Sequence, residues 1–310
     1  HRADLEQFRR FLCGLMMHGA IGTTIGGVCT LVGEPQNLLI GKEVGWDFIR
    51  FAVEMAPVTV PTAIAGLATC VLVEKLVWFG YGVPMPAAVR QVLTEFEREE
   101  SEQMTPRHLQ VILVQGVVAV LLVLALALHV AEIGVIGLMI IVLATAFTGV
   151  VDEQRLGKAF EAALPFTALL VVFFAIVGII HQQHLFGPFF SWVLTLDSGY
   201  QPIALFGASG LLSAISDNVF VATIYITQAK EALLAGALSR EEFEAMAVAI
   251  NTGTNIPSIA TPNGQAAFLF LLTSALAPLI RLSYFRMVWM ALPYLATMTA
   301  AAVYGVLYLL

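Results

Sequence analysis
The chain has 310 residues, of which 59% are hydrophobic and only 12% charged, with a mean hydropathy of +0.86. Soluble domains are about 45–50% apolar and 25% charged, so this composition excludes a soluble globular protein and predicts an integral membrane protein with repeated helical spans. The net charge of −7 gathers in loops, chiefly in E95FEREESE102, read as a solvated connection, and no basic patch points to nucleic acid.

The chain opens H1RADLEQFRR10, with neither an initiator Met nor a signal segment, and reads as part of a longer protein. Residues 11–41 are mostly apolar but interrupted by Gly26-Gly27 and by G33EPQN37, a first broken segment. Residues 48–79 form a long span containing Pro57 and Pro61. The charged, Pro-containing stretch 80–108 is the one long extramembrane loop, and it divides an N-terminal part, 1–79, from the remainder, 109–310.

Within that remainder, residues 109–130 and 133–151 predict a pair of spanning helices turning at H129VAE132. Residues 152–161 return to water and 162–180 span again. Residues 181–199, with Trp192 and several Phe, predict an amphipathic arm lying in the interface. Residues 202–227 are apolar except for Ser213, Ser216, Asp217 and Asn218 at their middle, and read as one helix or as two arms of a re-entrant hairpin. A charged loop follows, then a second broken segment, 245–280, carrying N251TGTNIPSIATPNGQ265, and a last span, 284–310. Cys13, Cys29 and Cys70 are odd in number, far apart and in apolar surroundings, so they are read as packing residues.

The two broken segments correspond. Setting Pro35 against Pro262 places T30LVGEPQN37 opposite P257SIATPNG264, and each is followed by a span with an Arg seven residues before a Pro, R50FAVEMAP57 and R286MVWMALP293. Paired discontinuous helices in corresponding places of two halves are the mark of secondary transporters built from inverted repeats. Unpaired backbone groups survive at membrane depth only where they are buried in protein or line a wet cavity. The polar runs therefore mark a site.

Asp217 lies deep from either end of its segment, whether that segment is a helix or a hairpin. A charged Asp at the bilayer centre costs at least about 2.5–3.5 kcal/mol, and no Lys or Arg lies in the apolar cores to neutralise it. A proton or a mobile cation remains, and the hydroxyls of Ser213, Ser216 and Thr223 supply oxygen ligands for one. Burial favours the protonated acid and a bound cation favours the carboxylate, so the two compete for one site; a structural Asp capping a helix is the alternative reading. Glu34, at the first break, is a second carboxylate of this kind, or a cap for the following half-helix through its dipole. Glu54, Glu74 and Glu132 fall near span ends and read as interfacial.

G26GVCTLVGEPQNLLI40, S216DNVFVATIYI226 and N251TGTNIPSIATPNGQAAFLFLL272 together resemble the NhaB family of sodium/proton antiporters, bacterial inner-membrane proteins of a superfamily that includes dicarboxylate/sodium symporters and arsenite permeases. The resemblance implies an all-α polytopic fold of inverted repeats, each with a re-entrant hairpin and a discontinuous helix, and electrogenic exchange of Na⁺ or Li⁺ for H⁺ with no cofactor beyond the ions. It implies that S216DN218 is the second hairpin tip, A260TPN263 the second break and G33EPQN37 the first. The implied cation and proton site then includes Ser213, Ser216, Asp217, Asn218, Asn251, Ala260, Thr261, Asn263, Gly33, Glu34 and Asn37, with Na⁺ at Asp217, Ser216 and Ala260. Asp217 stands where the symporters carry Asn, which adds a titratable group. The first hairpin tip has no counterpart upstream of Leu12, so the chain resembles the C-terminal part of the family, with the N-terminal half of the protein as its missing partner. The superfamily also implies elevator-like motion and a homodimer built on scaffold helices, here residues 109–180.

Other readings are an organic-anion symporter or arsenite permease of the same superfamily, and, more remotely, an intramembrane serine protease on G207ASG210, which needs a His partner at the same depth. His181 and His184 read as an interfacial pair rather than a metal site.

Overall fold
The computed structural model describes residues 2–150, 152–183 and 187–310. Among the described residues the chain forms fourteen α-helices and three short 3-10 turns, with no strand. Three of these helices are long and apolar enough to cross a membrane: α3 (Phe48–Leu76), α5 (Pro106–Ala127) and α14 (Tyr284–Tyr308). On α3, Val53, Val60, Ile64, Leu67 and Val71 recur three, four or seven residues apart and are each more than half exposed, so they share one face. The opposite face buries Met55, Thr59, Thr62, Gly66 and Thr69. Large aliphatics outside, small and hydroxylated residues inside, reverse the pattern of a soluble helix and suit one surrounded by lipid. The protein is an all-α polytopic membrane protein.

The helices gather into two compact units, residues 87–176 and residues 1–86 with 177–310. The first holds α4 (Ala87–Glu102), α5, α6 (Ile133–Thr148) and most of α7 (Glu153–Gln182), with α5 packed on α6. The connection 80–108 is not irregular as expected. Its residues 87–102 are a 16-residue helix with no buried residue, because a run of Ala, Leu, Gln, Glu and Arg without Gly or Pro is strongly helix-forming even in water. Residues 153–161, expected to return to water on their own, are the first turns of α7. Of the stretch 181–199, residues 181–182 end α7 and residues 187–194 form α8 (Gly187–Leu194), which buries Phe190 and Val193; residues 184–186, His184 among them, lie outside the described residues. Residues 1–79 cluster with 177–310, and residues 109–176 cluster separately.

The larger unit is organised by two broken helices. The first is α1 (Arg2–Gly27) followed by α2 (Pro35–Val44). The second is α11 (Arg240–Asn255) followed, after two 3-10 turns, by α12 (Ala266–Thr273) and α13 (Leu276–Leu279). Each half-helix starts from a local signal: Pro35 occupies the first position of α2, and Ser239 with Glu242 forms a reciprocal capping box at α11.

Cross-contacts fix the directions. Glu6 meets Arg281 and His18 meets Tyr294, so α1 and α14 run parallel. Arg50 meets Glu244 and Met55 meets Asn251, so α3 and α11 run parallel. Thr69 meets Thr297 while Gly305 lies against Val58, so α3 and α14 run antiparallel. Gln36 reaches Asn255 while Val44 accepts from Arg240, so α2 is antiparallel to α11. The two broken helices thus cross in opposite senses, break beside break.

Residues 202–227 are two helices. α9 (Gln201–Ser213) and α10 (Asn218–Leu234) are separated by residues 214–217. α9 is parallel to α11, with Gly253 against Phe206, Gly210 against Pro257 and Gly264 against Ser213. α10 leads from the far end of α9 back to the start of α11, so the chain reverses at residues 214–217. The start of α11 is held by charge: Glu244, whose side chain is only 16% exposed, accepts from Arg50 at 2.9 Å, Arg240 at 2.7 Å and the Trp46 indole at 3.4 Å.

A Cβ on Gly253 would stand 2.6 Å from the Phe206 carbonyl oxygen, whereas one on Gly22 would meet nothing within 4 Å. Gly253→Ala is expected to destabilise the purified protein by about 1–3 kcal/mol, seen as a lower melting temperature in detergent, with Gly22→Ala indistinguishable from wild type. Ser239→Ala removes a helix cap and is expected to cost about 1 kcal/mol in the same melts.

Candidate functional site
Where Pro and Gly interrupt a helix, backbone groups lose their partners, and here side chains replace them. At the first break Asn37 Nδ2 donates to the carbonyls of Gly27 at 2.8 Å and Thr30 at 2.7 Å. A Cβ on Gly33 would lie 2.2 Å from the Gly27 carbonyl oxygen, so the close approach of these two strands of chain requires glycine. At the second break the Thr261 hydroxyl donates to the Ala214 carbonyl and accepts from the Gly264 N–H at 3.3 Å. A Cβ on Gly264 would fall 2.2 Å from the Ser258 carbonyl oxygen and 2.7 Å from that of Ser213. The second break is thereby pressed onto the turn between α9 and α10.

Amides join the two breaks. Gln36 Nε2 donates to Glu34 Oε2 at 3.1 Å and to Asn255 Oδ1 at 3.0 Å. Asn255 Nδ2 donates to the Asn251 carbonyl at 2.9 Å, and Gln265 Nε2 donates to the Asn255 carbonyl at 2.7 Å and to Ser258 Oγ at 2.8 Å. Gln36, Asn37, Asn255, Ser258 and Gln265 are all buried. None but Asn37 stood out in the sequence; their common signal is amide and hydroxyl side chains clustered within the two Pro- and Gly-broken runs.

Glu34 is bonded into this cluster, and Asp217 lies on the turn against which the second break is pressed. Asp217 is half-buried and caps α10, its Oδ1 accepting from the Val219 N–H at 2.8 Å and the Phe220 N–H at 3.3 Å. The capping role is thus real, and it engages one oxygen of the two. Glu34 occupies the cap position of α2, yet its side chain makes no capping bond; it accepts from Gln36 instead. Glu34 lies close enough to Asp217 to feel its charge, and neither has a Lys or Arg partner among the described residues.

Three oxygens from the expected site are buried without a hydrogen-bond partner: Ser213 Oγ, Asn218 Oδ1 and Asn251 Oδ1. Thr24 Oγ1, in the last turns of α1, is a fourth that the sequence did not single out. An unpaired buried polar atom costs about 1–3 kcal/mol, and several at one junction call for a ligand. The Thr223 hydroxyl is instead spent within its own helix, on the Val219 carbonyl at 2.6 Å. Ser216, Ala260 and Thr261 are half-buried along the turn and the break, and Ala260 has only its backbone to offer. Asn263 and Gly33 are exposed.

Ser209 of G207ASG210 is fully buried, packs on Gly253 and leaves its hydroxyl unpartnered, so among the described residues no histidine stands beside it as a protease would need. Glu74, expected only as an interfacial residue, pairs with His18 at 2.9 Å, and Tyr294 meets the other ring nitrogen at 2.7 Å. This cluster borders a cavity of about 210 Å³ lined by Arg10, His18, Glu74 and Tyr81, apart from the breaks.

The model of the family described as bacterial Na⁺/H⁺ antiporter B (NhaB) matches residues 1–310. The chain is 65% identical over 308 residues to the Na⁺/H⁺ antiporter NhaB of Pseudomonas fluorescens Pf-5, covering 99% of this chain and 62% of that protein. It is 64% identical to the one from Pseudomonas entomophila with the same coverage, and 65% identical over 298 residues to the one from Pseudomonas aeruginosa LESB58, covering 96% of this chain and 60% of that protein. The chain therefore spans about three fifths of the length of these relatives. No solved structure matches it. With the family model matching residues 1–310 and relatives 64–65% identical over nearly all of the chain, the chain belongs to the NhaB family of bacterial Na⁺/H⁺ antiporters.

Proposed function
We propose that this chain carries a cation and proton site of a multi-pass inner-membrane antiporter that exchanges Na⁺ or Li⁺ for H⁺. The observation that carries the reading is the junction of the two breaks. Glu34 and Asp217 stand at these interruptions without a basic partner among the described residues, and the oxygens of Ser213, Asn218 and Asn251 are buried and unpaired. Two carboxylates in low-dielectric surroundings repel each other, and a proton or an alkali cation relieves the repulsion equally well. Neutral oxygens of hydroxyl, amide and backbone type complete a hard-ligand shell that a proton does not need and a Na⁺ does. Binding of either ion displaces the other, and exposing the site alternately to the two sides converts one gradient into the other, with no cofactor in the cycle.

The opposed directions of α1–α2 and α11–α12, and the antiparallel α3 and α14, support a pair of inverted repeats related by an axis in the membrane plane. The half of the junction supplied in this reading by a first hairpin belongs to the remainder of the full-length protein. The separate unit of residues 87–176, with its large exposed aliphatics, suits the scaffold of an elevator-type homodimer.

Asp217→Asn separates the two roles of that side chain. Asn caps a helix about as well as Asp but carries no titratable charge. The full-length variant is expected to accumulate and melt like wild type while Na⁺-driven proton movement in vesicles vanishes; unchanged exchange would transfer the role to another residue. Glu34→Gln, which leaves Asp217 in place, is expected to keep exchange but raise half-saturating Na⁺ about tenfold, the order expected for losing one charge-assisted contact. Competition also sets the pH response. In wild type, half-saturating Na⁺ should rise as pH falls, approaching about tenfold per unit for one displaced proton, with the maximal rate little changed.

A further inference from the structure
Gln36 joins the two broken helices at their breaks and bonds a carboxylate there. Its amide nitrogen has two N–H groups, and the two bonds at 3.1 Å and 3.0 Å use both: one to Glu34 Oε2, the other to Asn255 Oδ1. Gln36 is 1% exposed and Asn255 is 0% exposed, so water does not replace the bond between them. Asn255 is in turn fixed by four further contacts: its own donations to the Asn251 carbonyl and, at 3.5 Å, to Asn37 Oδ1, and the donations of Gln265 and Ser258 to its carbonyl. The far end of the bridge is therefore rigid. The near end is not, because Glu34 makes no capping bond and no ion pair among the described residues; besides its approach to the Gly27 backbone, the Gln36 amide is what restrains its carboxylate.

We infer that Gln36 is a positioning residue for cation binding: anchored on Asn255 of the second broken helix, it holds the carboxylate of Glu34 at the first break in one fixed orientation. The inference rests on the exchange reading above and extends it to a residue that does not itself bind the ion. Its physical basis is the difference between a carboxylate that is free to turn and one whose rotamer is fixed before the ion arrives. Pre-organisation of this kind strengthens binding without changing the number of ligands. It also means that the first break binds the ion well only while the second break stands in its present place, which couples the two halves of the site.

Substitution of Gln36 by Met keeps its length and shape and removes both donors. The full-length protein is reconstituted in proteoliposomes, and Na⁺-driven proton movement is measured for wild type, Gln36→Met, Glu34→Gln and the double variant. Half-saturating Na⁺ is expected to rise about tenfold in Gln36→Met, with the maximal rate within about twofold, the pattern of lost ground-state binding. Glu34→Gln added to Gln36→Met is expected to change half-saturating Na⁺ by less than about twofold, because the carboxylate it removes is already misplaced; residues acting through each other are non-additive. Fully additive effects, or an unchanged half-saturating Na⁺ in Gln36→Met, overturn the inference, since general loosening of the fold acts independently of Glu34. Should Gln36→Met fail to accumulate, Gln36→Asn carries the same cycle, being one methylene too short to span both partners. Wild-type protein without any Na⁺-driven proton movement refutes the exchange reading itself, an outcome distinct from an additive cycle in an active protein.

Discussion

The constraint on which the rest depends is that a helix interrupted inside an apolar body must have its freed backbone groups and polar side chains satisfied by protein. Here side chains of the two interruptions do this. Asn37 closes the end of α1, Thr261 ties the second break to the turn after α9, and Gln36 and Asn255 bridge the pair. The backbone groups of each break are met largely from within it, and the amides of Gln36, Asn37 and Asn255 then join one break to the other. The glycines that permit it, Gly33 and Gly264, lie where any Cβ would strike a carbonyl oxygen.

The same economy explains why the carboxylates sit where they do. A helix start is the one place at depth where a carboxylate is partly compensated, by free N–H groups and by the helix dipole. Asp217 takes that compensation through one oxygen. Glu34 stands at the equivalent position of α2 but turns its side chain to Gln36, leaving the α2 dipole without a direct bond to it. The two acids are therefore inequivalent: one is anchored to backbone, the other to a side-chain amide held by the second broken helix.

Much of this was legible in the sequence because Pro, Gly and polar residues are costly inside membrane-length apolar runs and persist there only where a break or a binding site needs them. The breaks at G33EPQN37 and within residues 251–265, and the interruption at Ser216, Asp217 and Asn218, all follow from that reasoning, as does the correspondence of Arg50 and Pro57 with Arg286 and Pro293. What was not legible depends on partners far away in the chain. Gln36 and Asn255 are 219 residues apart, and nothing local marks either as buried. Asn263 belongs to the same motif as Thr261, yet a 3-10 turn at Pro262–Gly264 carries it to the surface. The helix at residues 87–102 was missed for the opposite reason: charge density signals solvent, and solvent exposure alone does not distinguish a loop from a well-formed surface helix.

The opposed directions of the broken helices bear on how such a site is opened to either side. α1 runs with α14 and α11 runs with α3, so each broken helix leans on the long span that follows the other break in sequence. The contacts at the two starts differ in strength. Glu244 at the start of α11 is largely covered and receives two guanidinium groups and an indole, while Glu6 on α1 meets Arg281 with both side chains well exposed. Exposed pairs contribute about 0–1 kcal/mol, and partly buried, multiply bonded ones considerably more. The cluster around Glu244 therefore holds the start of α11 to α3 more firmly than the Glu6–Arg281 pair holds α1 to the segment that leads into α14.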